Sequence, residues 1–202
     1  MHFVPSKRIS ILLMLVVFVI SWIQPIWPLE QALHSSLTIV AFFLLGFYVK
    51  RHKISDFDFF LIMIFLCVHS IAARWLYSNT PYDQWLQSAL GFSFKKSLGW
   101  ERNNFDRLVH FLYGFCFTPA ILSHVTNQLG CAKRAAFLLA VSLIMITSLW
   151  YEWFEWLIAM VLSPSNAEAY NGQQGDMWDA HKDMLMATIG SLMWAKYSLA
   201  NR

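Results

Sequence analysis

The chain has 202 residues, of which 57% are hydrophobic, 17% aromatic and only 13% charged, with a mean hydropathy of +0.46. So apolar and charge-poor a composition excludes a soluble globular domain and predicts an all-α, polytopic transmembrane helix bundle, one integral membrane domain over residues 1–202. The net charge is only +3 and the basic residues are scattered among loops, which speaks against nucleic-acid binding.

In chain order, Lys7 and Arg8 precede an apolar run from Ile9 to Ile23, with no small-residue cleavage pattern behind it. It reads as a retained first span, followed by an interfacial turn at residues 24–28. A second span runs from about Leu33 to Val49 and stops at Lys50-Arg51-His52-Lys53; a third runs from about Phe57 to Tyr77. Each approaches the ~20 residues needed to cross the hydrocarbon core. Between Tyr77 and Asp106, Thr80 supplies a helix cap, Pro81 a first helical position and Asp83 an acid at N3. Tyr82, Trp85, Leu86, Ala89 and Leu90 then follow helical spacing up to Gly91, as in a short amphipathic helix lying in the membrane interface. A fourth span is expected from Asp106 to Val125 and a fifth from about Arg134 to Leu162. A sixth is expected from Asp176 to near Leu199. Cys67, Cys116 and Cys131 have no metal or disulfide spacing and read as small buried hydrophobes.

With about six spans, Lys7/Arg8, Lys50 to Lys53, Lys133/Arg134 and Lys196/Arg202 all fall on one side. The positive-inside rule then puts both termini in the cytoplasm. Lys95, Lys96, Arg102 and Arg107 stand on the other side, which marks them for work other than orientation. Polar residues inside the spans gather on that same outer side, and the inner halves hold nothing comparable. Asp106 and His110 lie one turn apart on span four, Glu152 and Glu155 share a face of span five, and His69 and Arg74 sit toward the outer end of span three. Asp176, Asp179 and Asp183 form one acidic line on span six, with Asp176 read as its N-cap and Asp179 at N3. Carboxylates inside a membrane helix are costly and point to a site.

The strings ERNNFDRLVHFLYGF (Glu101 to Phe115), YEWFEW (Tyr151 to Trp156) and GQQGDMWDAHKDM (Gly172 to Met184), with His69 and the Pro81/Trp85 segment, closely resemble the YjdF-type bacterial inner-membrane proteins. That resemblance carries no activity with it. His181 stands where those proteins commonly have glutamine or another polar residue. A more distant likeness of layout is to VanZ-like membrane proteins, a group associated with glycopeptide resistance. It rests on Asp106 to Phe111, Glu152 or Glu155, and Asp176 to Gly190, and departs at Asp183, where VanZ-like proteins tend to have asparagine.

The reading that follows is a polar pocket at the outer face that binds or modifies an anionic lipid or lipid-linked headgroup. His110, Glu152, Glu155, Asp179 and Asp183 are the candidate catalytic residues. Arg102, Arg107, His69 and Arg74 are candidates for binding substrate, with Lys95 and Lys96 nearby. Asp106, Asp176, Asp179 and Asp183 are candidate ligands for a divalent cation. Two other readings use the same residues: a proton-coupled carrier, and a structural membrane protein whose charges only pair helices.

Overall fold

The computed structural model describes residues 4–163, 167, 170–171 and 173–199. Among these residues every regular element is a helix: α1 (Lys7–Ser21), α2 (Pro28–Arg51), α3 (Asp56–Arg74), α4 (Tyr82–Leu90), α5 (Phe94–Leu98), α6 (Phe105–Asn127), α7 (Lys133–Val161), α8 (Asp179–Leu192) and α9 (Ala195–Leu199). Four of them, α2, α3, α6 and α7, are long and apolar enough to cross a membrane. The fifteen residues of α1 and fourteen of α8 fall short of the ~20 a straight crossing needs. Arg202 and much of the 163–175 loop lie outside the described residues.

Three sequence boundaries change. The sixth apolar segment is two helices, because a turn at Met193 and Trp194 divides it. Asp176 stands ahead of α8, whose N-cap is Trp178; Asp176 instead folds back to accept the Trp178 amide at 3.1 Å. Pro81, and not Thr80, stands at the N-cap of α4, without a side-chain cap bond. Asp83 was expected to serve its own helix. Its carboxylate accepts instead from the Ser93 hydroxyl (2.6 Å) and the Phe94 amide (2.7 Å), and so closes the first turn of α5. Gly91 ends α4 with φ +68°, a conformation that glycine adopts without penalty.

The tightest packing is between α6 and α8, and small residues make it so. A Cβ on Gly114 would lie 1.8 Å from the Ala187 carbonyl oxygen, and one on Gly190 would lie 2.0 Å from that of Phe111. Only glycine lets the two backbones touch in this way. Polar contacts lock the crossing: the Thr118 hydroxyl reaches the Ser191 hydroxyl at 2.7 Å. Pro119 has no amide to bond the Phe115 carbonyl one turn back, and the Trp194 indole donates to that carbonyl at 2.8 Å. The turn that interrupts the sixth segment therefore places the side chain that repairs α6.

Around this pair α7 packs on α6 and α8, while α3 packs on α6 and also on α1 and α2. Phe59, Ile62, Met63 and Leu66 of α3 with Met14 of α1 form an apolar layer in mid-bundle. Lys7 pairs with Asp56 at 2.6 Å at one end. At the other, Arg74 donates to the carbonyls of Ser21 and Ile23, both at 2.7 Å, and Gln31 donates to Ser21 at 2.9 Å. A cation on the last carbonyls of α1 offsets the negative end of that helix.

Candidate functional site

The Gly114–Gly190 crossing brings the first two turns of α6 against the first two turns of α8. Asp106, Arg107 and His110 therefore face Asp179 and Asp183. Arg102, in the segment before α6, and Asp176, in the turn before α8, join them from outside the helices. The two arginines meet all four aspartates. Arg102 pairs with Asp106, with Asp179 at 2.7 Å and with Asp176 at 3.2 Å. Arg107 pairs with Asp179 at 2.7 Å, Asp176 at 3.0 Å and Asp183 at 3.2 Å, and also donates to the Asp179 backbone carbonyl at 3.0 Å. Lys182 adds a third cation on Asp176 at 2.6 Å. That hydrogen bond, with the Trp178 amide and the charges of Lys182 and Arg107, holds the Asp176 carboxylate down at about 2. The planar, five-donor guanidinium suits such shared recognition.

The arginines expected to grip substrate are thus engaged by the protein's own aspartates. They still line a cleft of about 660 Å³ above the network, with Trp100, Glu101, Gln174 and Lys182. Three carboxylate oxygens of Asp106, Asp179 and Asp183 lie within 4.8 Å of one another. The two guanidinium groups already supply positive charge there.

One level deeper lies a second cluster, in which Arg107 pairs with Asp183 alone. His110, Glu152 and Asp183 bring a ring nitrogen and two carboxylate oxygens within 4.8 Å of one another. His110 Nε2 is 3.9 Å from Glu152 and 4.0 Å from Asp183. The Glu152 side chain is only 9% exposed, and its Oε1 has no hydrogen-bond partner. A buried carboxylate oxygen without a donor is costly unless a proton or a cation stands beside it. Glu155 follows one turn further along α7 and interacts with Tyr151.

His69 lies apart from this triad. Its Nε2 bonds the His34 carbonyl at 3.2 Å, which leaves Nδ1 to accept from the Tyr77 hydroxyl at 2.5 Å. Arg74, expected to bind substrate, is committed to the end of α1. His34 is fully buried, stacked on Tyr170 at 4.4 Å, and neither of its ring nitrogens has a partner. His34 is absent from the sequence-based candidates, although a histidine within the second predicted span is signal enough.

The other end of the bundle is also more polar than expected. Tyr48 meets His124 at 2.8 Å, the His52 and His124 rings touch edge to face at 5.1 Å, and buried Asp58 accepts from Ser123 at 3.1 Å. Asp58 and His124 stand close enough to the helix ends to pass for caps, which is why the pattern hid them.

Residues 6–201 match the family described as Predicted membrane protein (DUF2238). The chain belongs to this family. Among curated proteins it is similar to the inner membrane protein YjdF of Escherichia coli (strain K12), 28% identical over 147 residues. That match takes in 71% of this chain and 65% of YjdF, so the chain covers less than two thirds of that relative's length. No solved structure matches. This DUF2238 member is a multi-pass membrane protein, and the long apolar helices of the bundle agree with that.

Proposed function

We propose that the His110–Glu152–Asp183 pocket binds a divalent cation at the outer face of the membrane and presents it to an anionic lipid or lipid-linked headgroup. One observation carries the reading: the buried Glu152 Oε1, without a donor, beside an imidazole and a second carboxylate. One nitrogen and two oxygens suit manganese, zinc or magnesium, with coordination positions left for water or a phosphate oxygen. The same pocket without an ion offers His110 and Glu152 as proton donor and acceptor. The Arg102–Arg107 network fixes the positions of Asp179 and Asp183, and its cleft gives an anionic headgroup a partly positive mouth through Lys182.

The orientation belongs to this reading. With α1 and α8 crossing as short or tilted spans, the bundle crosses six times, both ends are cytoplasmic, and the pocket faces outward. Against a carrier, the contact between α1 and α3 is apolar, with Met14 packed among Phe59, Ile62, Met63 and Leu66.

Thermal melts of the detergent-purified protein, stripped with chelator and then titrated with manganese, zinc or magnesium, test the proposal. At least one ion raises the melting temperature of the parent, since a ligand that binds only the folded state stabilises it. Glu152→Gln and Asp183→Asn abolish that rise. No rise with any ion, together with destabilisation in both variants, would show that these groups only hold helices together.

A further inference from the structure

Next to the triad lies a second cavity, of about 270 Å³, enclosed by α2, α3, α6 and α7. Its wall is mostly apolar: Leu37 and Ala41 from α2, Phe65 and Leu66 from α3, Val109 and Phe117 from α6. His110 and Tyr151 close the pole nearest the carboxylates. From His110 to Phe117 the cavity follows α6 for seven residues, roughly 10 Å at ~1.5 Å per residue. Its volume is just below the roughly 300–1,000 Å³ of ordinary ligand pockets.

Two features say what belongs in it. First, α2 packs on α3, and α7 packs on α6 and α8, but α2 and α7 are not closely packed on one another. The two helices that border the gap expose apolar side chains, Val40, Phe43 and Leu44 on α2 and Leu139, Leu143 and Ile146 on α7. In a multi-pass membrane protein these faces meet lipid tails, so the gap opens sideways into the bilayer. Second, Thr38 and Ser148 line the cavity from opposite sides of the gap, each 2% exposed, and neither hydroxyl has a partner. Ser148 lies about one turn below Tyr151. Serine and threonine in membrane helices ordinarily satisfy their hydroxyls within the protein. An alkyl chain alone would leave these two unsatisfied.

We infer that this cavity holds the ester-proximal part of one acyl chain of a diacyl phospholipid, which enters sideways between α2 and α7. Its ester group lies at Thr38 and Ser148, and its headgroup is directed toward His110. The order of groups matches the order along the lipid: charged pocket, then two hydroxyl donors for an ester carbonyl, then apolar wall. An isoprenoid carrier has no ester at that depth. The inference rests on the proposed headgroup pocket for the direction of the lipid and stands apart from it for the chain.

The probe is phosphatidylglycerol with a diazirine midway along one acyl chain, irradiated with the full-length protein in nanodiscs, and the adducts are mapped by mass spectrometry. Labelling is expected on Phe65, Tyr113 or Phe117 as well as on lipid-facing Phe43. Ala41→Phe fills the cavity and reduces the inner adducts about tenfold, a loss equal to ~1.4 kcal/mol of affinity, while the Phe43 adduct stays. If Ala41→Phe does not fold, the near-isosteric Thr38→Val with Ser148→Ala serves instead. It lowers the inner adducts without lowering the melting temperature. A folded parent that is labelled only on its outward faces overturns the inference, as do inner adducts insensitive to these changes. Loss of the inner adducts to excess isoprenoid phosphate, but not to unlabelled phosphatidylglycerol, overturns it in favour of the carrier lipid. Inner adducts in a protein with no metal-dependent melting shift sink the cation reading and leave this one standing; the opposite result sinks this one alone.

Discussion

Arg107 shows how four aspartates can share one end of a bundle. Its guanidinium spans Asp176, Asp179 and Asp183, with both it and its partners largely shielded. Truncating one member of a buried ion pair leaves the other charge uncompensated, which costs about 3–5 kcal/mol. Arg107→Gln is therefore expected to lower stability by about that amount, seen as a fall in melting temperature in detergent. Adding Asp183→Asn should recover part of the loss, because Asp183 takes its guanidinium partner from Arg107 whereas Asp179 keeps Arg102, so this is the charge the first change strands. A double variant as unstable as the sum of the two singles would mean that the guanidinium acts by packing and not by charge. Glu152 is the contrasting case. No arginine pairs with it, and the orphan oxygen is what distinguishes the proposed ligand site from the ion-pair network at the scale of single residues.

At the scale of elements, the site depends on the contact between α6 and α8. Both helices start at the site, and both give up side chains further along so that their backbones can meet at Gly114 and Gly190. Any Cβ at either position runs into backbone, and backbone cannot yield as a flexible side chain can. Gly190→Val is thus expected to cost about 3 kcal/mol or more as an overpacking change. It should also abolish any metal-dependent melting shift by moving Asp183 away from His110. Gly46, whose Cβ would meet nothing within 4 Å, is the control, and Gly46→Ala should leave melting and metal response unchanged. Equal losses from the two substitutions would remove the close crossing from the account of the site.

For the whole molecule the open quantity is the number of crossings. Four helices have the length and apolarity to span. The short α1 is exposed and apolar over Leu12, Val16 and Val19, and α8 continues through the Met193–Trp194 turn into α9. Six crossings place Lys50 to Lys53 and Lys133 on the same side as Lys7. Reporter fusions after Lys53 and after Lys133 are expected to score cytoplasmic, and a fusion after Ser165 is expected to score outside. A fusion after Lys53 scoring outside would invert the bundle and turn the triad toward the cytoplasm.

Much of this architecture could be read along the chain. Long apolar runs between charged ends dictate helices, because a backbone in lipid must satisfy its own hydrogen bonds, and those runs located α2, α3, α6 and α7 to within a few residues. The acids of α6, α7 and α8 also stood out, since charge in an apolar run is rare. What linear order could not carry was partnership. Arg102 and Arg107 could be read either as substrate ligands or as counter-charges to the carboxylates, and only folding laid them on Asp176, Asp179 and Asp183. Arg74 looked like a ligand until its guanidinium met the end of α1. Trp194 gave no sign that its indole would complete a carbonyl freed by Pro119, seventy-five residues earlier. Glu152 and Asp183 fall on different helices; the approach that seats Asp183 beside His110 comes from two glycines with no side chain to announce it, and Glu152 arrives separately on α7. Helix formation is a local balance of hydrogen bonds and hydrophobicity. The pairing of charges depends on distances of 3 to 4 Å between remote segments, and only the packed bundle sets those.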